Sequence, residues 1–163
     1  MMQTASVADN ISDVLVKIVY FTQLRRGVLH ENLHKADDSG FMPQDMPVRE
    51  FAEAINVAVA EHLRNQRLLF RDTPNITFGP NNTMEIRPVA DARAHALLQT
   101  DRDDYTELQI SKLLENCLNR RIAAELLRQK CGPYAGVADW DVGKLFPGNG
   151  PLGVSPADRD SVD

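Results

Sequence analysis

Between Asp104 and Lys130 the apolar residues recur at helical pitch: Ile110, Leu113, Leu114, Cys117 and Leu118 stand at i, i+3, i+4, i+7 and i+8, and Ile122 and Leu126 continue the row. This spacing predicts a long helix from about residue 104 to residue 130 with one apolar stripe, and a stripe of that kind demands a partner. Lys112, Glu115, Asn119 and Arg120 read as its wet side. "CGPY" predicts the stop, with Gly132 as C-cap and Pro133 as the residue that cannot continue the helix. Cys117 falls on the apolar row, so it reads as a buried free thiol, and its distance from Cys131 is not a metal-ligand spacing.

A second long helix is expected near the other end. Asn10 or Ser12 suits an N-cap, and Ile11, Val14, Leu15, Ile18, Phe21, Val28 and Leu29 recur at helical spacing towards residue 35. Arg25 and Arg26 interrupt that stripe, and Gly27 weakens the helix by up to ~1 kcal/mol relative to Ala. The expected fold class is therefore mainly α: long N- and C-terminal amphipathic helices pair as an antiparallel coiled coil that neighbouring copies could extend. An ordinary small helical bundle is the alternative.

The middle reads as irregular. Pro47 suits a first helical turn, and Phe51, Ile55, Val59 and Leu63, four apart, make one stripe of a helix after it. Ile76 and Phe78 alternate before Gly-Pro-Asn-Asn, and Met84 and Ile86 alternate after it, predicting a short hairpin that must lean on something else. Residues 88 to 100 suit a short helix around Ala92, Ala96 and Leu97. The chain thus divides into a flexible N-terminus at 1–10, a helical unit with an extended middle at 11–131, and a mostly disordered tail at 132–163. The tail carries "ADWDVGKLF", which includes the chain's single Trp, as a short docking motif.

Charge and composition limit the partners. With 18 basic against 23 acidic residues and a pI near 5.3, no field draws the chain to nucleic acid or to an anionic membrane. No segment approaches the ~20 apolar residues of a membrane helix. "MMQTASVADNISD" has no basic region followed by an apolar run, so no cleaved secretory signal is expected.

The segment after the first helix, "ENLHKADDSGFMPQD", carries a resemblance. Asn32, Leu33, Ala36, Asp37, Gly40, Phe41 and Asp45 follow, in order and without a gap, the pattern found after the first helix of bacterial flagellar basal-body rod proteins. The chain looks most like the proximal rod proteins. "FTQLRRGVLHENL" upstream, "LLFRDTPNITFGPNNTMEI" further on and the closing "YTELQISKLLENCLNRRIAAELLRQK" are similar to that family in the family's order. Together they span about residues 12 to 130. Where the family has Ala, a second Asn, Thr and Pro, this chain has His34, Lys35, Asp38 and Ser39. Losing the Pro removes a fixed φ. Asp37, Asp38 and Ser39 can still satisfy local backbone groups, and Gly40 still permits positive φ.

The resemblance implies a structural subunit of the flagellum, exported by the type III apparatus without a cleaved signal and assembled in the periplasm as part of the basal-body rod. Its implied partners are copies of itself and the other rod and ring proteins, with no nucleic acid, no direct membrane insertion and no cofactor. Its implied site residues are structural: a turn at Asn32, Asp37, Gly40, Phe41 and Asp45, and packing stripes at Leu15, Ile18 and Val28 and at Leu113, Cys117 and Leu118. No catalytic residue is implied.

One motif points elsewhere. "HENLH" places His30, Glu31 and His34 in the order of a zinc hydrolase helix, as ligand, general base and ligand. The remaining histidines, His62 and His95, offer no obvious third ligand, and the bland reading is two solvated histidines near a helix end. A helical adaptor or winged-helix module, with "ITFGPNNTMEIRP" as the wing, is a third reading. It lacks a basic recognition helix.

Overall fold

A computed structural model describes residues 4–80 and 82–131, with side chains described between residues 10 and 130. The expected C-cap at Gly132, the tail and its Trp motif lie outside the described residues. Among the described residues four helices and two small sheets follow one another: α1 (Thr4–His34), β1 (Gln44–Asp45), α2 (Val48–Asn65), β2 (Ile76–Phe78), β3 (Met84–Ile86), β4 (Val89–Ala90), α3 (Ala92–Thr100) and α4 (Arg102–Cys131). The fold is mainly helical, with α1 and α4 packed together and the small sheets between them in sequence. The two long helices run antiparallel. Asn32 near the end of α1 meets Gln109 near the start of α4, whereas Thr22 meets Asn116 further along.

α1 begins at Thr4, upstream of the cap expected at Asn10 or Ser12, so much of the segment read as a flexible terminus belongs to the helix. Its middle is enclosed on several sides. Val14, Leu15, Val16, Val19, Tyr20 and Phe21 are all buried, a nearly continuous run that a helix with a single packed stripe does not show. α4 covers one side. α2 leans on another through Phe51, whose ring stacks on Phe21 at 4.1 Å between centroids. The β2–β3 hairpin closes a third, bringing Ile76 and Met84 into the same core.

The expected hairpin forms and pairs Ile76 with Ile86 and Phe78 with Met84. It is marginal by itself and is held by α1. Lys17 Nζ lies 4.5 Å from the centre of the Phe70 ring, which stacks on Phe78, and it also donates to Asn82 in the hairpin turn. Burial of Lys17 pulls its pKa below the ordinary lysine value, against the opposing effect of Asp13.

α2 departs from the expected stripe after one turn. Its buried line is Phe51, Ile55, Ala58 and His62, and Val59 and Leu63 face outward. A strict four-residue spacing drifts around a helix of 3.6 residues per turn, so a stripe followed far enough leaves the packed face. Pro47 is the N-cap, and Gln66 ends the helix in the left-handed region with its N–H on the His62 carbonyl. α3 and α4 meet at Asp101, whose carboxylate accepts from the Asp104 N–H and starts α4, as Asp91 does for α3 through the Ala94 N–H.

The largest correction concerns α4. Its inward line is Tyr105, Gln109, Asn116, Ala123 and Leu127, with Lys112 beside it. Cys117, read as buried, is exposed, and Leu118 is 60% exposed. Leu113 is half-buried and borders a groove. Of the residues read as the wet side, Lys112 is turned into the junction with α1 and Arg120 is half-buried. On α1 Leu15 is buried and Ile18 and Val28 are partly buried against the core, whereas Ile11, the first member of the expected stripe, is exposed.

Candidate assembly interface

The exit from α1 is built around Asn32, which is 1% exposed. Its amide nitrogen donates to the Gln44 carbonyl at 2.7 Å and to Gln109 Oε1 at 3.0 Å, and its oxygen accepts from the Gln44 N–H at 3.1 Å. The Tyr105 hydroxyl donates to the Asn32 carbonyl at 2.8 Å. One side chain therefore fixes β1 to the end of α1 and both to the start of α4. An apolar residue here would leave several buried polar groups without partners, at about 1–3 kcal/mol each.

The chain between is a tight excursion. The Asp38 N–H donates to the Lys35 carbonyl and the Phe41 N–H to the Asp38 carbonyl, and Gly40 has φ +74°. A Cβ on Gly40 would meet nothing within 4 Å, so this glycine is needed for its backbone angle rather than for space. Asp37 is exposed and pairs with Arg102 at the start of α4, and Phe41 is half-buried. The excursion ends at β1, which pairs antiparallel with β4, Gln44 opposite Ala90 and Asp45 opposite Val89. Neither two-residue strand is visible in the sequence pattern, because two residues are too few for an alternation to register.

Asp45 joins the elements electrostatically. Its carboxylate receives Arg25 of α1 at 2.9 Å and Lys112 of α4 at 2.9 Å. Lys112 also reaches Asp91, the α3 cap, at 2.5 Å, and Arg25 reaches Glu115 at 3.2 Å. Burial alone would raise the Asp45 pKa, but hydrogen bonds from Arg25 and Lys112 outweigh it and hold the carboxyl below its usual range. Burial likewise works against the charge on Lys112, and Asp91 and Asp45 overcome it and keep the ammonium above its ordinary value. The two arginines that interrupt the α1 stripe are thus different in kind: Arg25 is buried in this network, and Arg26 faces outward.

These bonds decide which side of α4 faces α1. Arg25, Asn32 and Asp45 sit at the junction and cannot be covered by an apolar row without being stranded. The Thr22 carbonyl adds a further acceptor, taken by Asn116 at 2.7 Å. Gln109, Lys112 and Asn116 satisfy them, so α4 turns its polar line inward. Ile110, Leu114, Leu118, Ile122 and Leu126 are left exposed as a ridge four residues apart. Towards the end of α4 the ridge borders a shallow groove of about 340 Å³ between α1, α2 and α4, lined by Ile18, Phe51, Ile55, Ile122 and Leu126 among others.

His30 and His34 are both exposed on α1, and Glu31 between them is paired with Lys35 at 2.5 Å. Among the described residues no group of three His, Cys, Asp or Glu side chains converges on a point where a metal would sit. Asn32, inside the same five residues, faces the opposite way and serves the junction. Among the described residues no helix is long and apolar enough to cross a membrane. The chain matches no family model, no curated protein and no solved structure.

Proposed function

We propose that the chain is a subunit of the bacterial flagellar basal-body rod, similar to the proximal rod proteins, which works by assembling with copies of itself and with the other rod and ring proteins. The observation that carries this reading is the uncovered ridge on α4. Five large aliphatic side chains, each four residues from the next, are exposed in a row that winds about 160° around α4 outside its packed line. Burying such a side chain against a neighbour contributes about 1.5–3 kcal/mol, enough in a row to drive association. A ridge that fits a different surface on the next copy produces an open helical filament rather than a closed ring.

The segment that carries the family resemblance supports the same reading. Asn32, Gly40 and Asp45 are the residues that shape the exit from α1 and tie it to α4, so the likeness falls on positions with a physical task. None of these tasks is catalysis. On this reading the subunit is exported without a cleaved signal and is incorporated in the periplasm.

Mass spectrometry of basal bodies purified from the source organism tests the proposal. The chain is expected at levels comparable with other rod components, and cells carrying Leu114→Glu with Leu118→Glu are expected to lose it from the basal body while still making it. Basal bodies from flagellated cells that lack the unaltered chain would overturn the reading.

A further inference from the structure

On the other flank of α4 lies a second groove, of about 520 Å³, shared with α1. Its apolar lining is Leu113, Cys117 and Ala124, and its charged lining is Arg26, Arg120 and Arg121. Among the described residues none of these three arginines has a hydrogen-bond or ion-pair partner, whereas Arg25, one position away, has two carboxylates. An apolar channel rimmed by unpaired guanidinium groups suits a short segment that presents an aromatic ring between carboxylates. The chain itself contains one beyond the described residues, Asp139-Trp140-Asp141-Val142, and residues 132–143 hold no basic side chain.

We propose that this groove is the docking site for the chain's own 139–142 segment, with the Trp140 ring on Leu113, Cys117 and Ala124 and the two carboxylates against Arg26, Arg120 and Arg121. Chain length permits it. From Arg121 to the end of α4 is ten residues, or about 15 Å of helix. The eight residues from Gly132 to Asp139 can span up to about 27 Å, which leaves slack for the reversal that Gly132 and Pro133 favour. Tethering also raises the local concentration of the segment to the order of millimolar, so a weak contact suffices. A free polyanion has no such advantage against a molecule of net charge −5. The inference stands apart from the flagellar reading, because it concerns only contacts within one chain.

Trp140 is the sole tryptophan, so its fluorescence reports the segment without a label. In the full-length protein the emission is expected to be blue-shifted relative to a free tryptophan amide and several-fold less accessible to acrylamide, equally so at low and high protein concentration. Arg120→Glu with Arg121→Glu should restore full quenching while the circular dichroism of the helices is unchanged. Asp139→Asn with Asp141→Asn, which leaves every described helix unaltered, should do the same. Adding Asp139→Arg and Asp141→Arg to the Arg120→Glu, Arg121→Glu protein should return the protection. A fully accessible Trp140 in the unaltered protein overturns the proposal. So does protection that vanishes on dilution, which would assign the segment to a second copy, and so does protection that persists in both charge variants.

Discussion

The two faces of α4 are made of opposite materials and have opposite places. The face against α1 carries Tyr105, Gln109, Lys112 and Asn116, joined by Ala123 and Leu127, and the rest of the surface carries Ile110, Leu114, Leu118, Ile122 and Leu126 in a row that winds around the helix. In a self-sufficient bundle the assignment would be reversed. The difference shows that packing of α4 is governed by the need to pair the charges of Arg25 and Asp45, which leaves the apolar row uncovered by the described residues. A polar line with fixed partners also specifies register, because sliding α4 by one turn would separate Asn32 from Gln109 and Asp45 from Lys112. The apolar ridge fixes no such register.

The strongest way to break this comparison is to disable the inner face. Asp45→Ala removes the carboxylate shared by Arg25 and Lys112 and leaves the buried Arg25 and the half-buried Lys112 with one carboxylate each. A loss of about 3 kcal/mol is expected, measured by urea unfolding with the midpoint shifted and the slope unchanged. A change below about 0.5 kcal/mol would mean that the network follows the packing instead of directing it.

A smaller effect of the same origin follows from pH. The Asp45 carboxyl is held below its usual range in the folded protein, so its contribution is present above the unfolded aspartate value of about 3.9 and is lost as pH falls through the lower folded value. Lys112 has the opposite sign. Its raised folded pKa gives stability that is complete below the unfolded lysine value of about 10.4 and is lost as pH rises through the higher folded value. Thermal unfolding is therefore expected to show a plateau between these limits with a fall on either side. The acid limb should be shallower in Asp45→Ala, and an unchanged acid limb in that variant would assign the fall to other carboxylates.

Much of the architecture was legible in the sequence. The long helices, the short one before α4 and the β2–β3 hairpin all follow from periodicity and turn residues, because those signals are local. Periodicity located the apolar row of α4 and could not say which neighbour covers it. That choice depends on Arg25, Asn32 and Asp45, which come together only once the chain has turned at Gly40. Lys112 among polar neighbours looks like a solvated side chain for the same reason: nothing local marks a lysine that will meet Asp45 and Asp91. A usable signal did exist in Arg25, a charge inside an apolar stripe, which implies a buried partner for it. Asn32 stood out through the family resemblance, and its hydrogen bonds supply the physical reason.

The smallest expected effect is on the outer face, and it discriminates most sharply. Leu118 is 60% exposed and Leu114 is 63% exposed, so the isolated subunit gains little from either. Leu114→Gln with Leu118→Gln should therefore leave the stability of the monomer within about 0.5 kcal/mol of the parent. The measurement has to be made at concentrations where sedimentation shows the monomer, because association would add its own stabilisation by mass action. Under those conditions the inner and outer faces should separate cleanly: a single inner carboxylate matters greatly to folding, and two outer leucines hardly at all. The same pair should weaken self-association, since the ridge has lost two adjacent members. If the monomer is destabilised by about 2 kcal/mol or more, the ridge is packed within the chain and α4 has no free face to offer a neighbour.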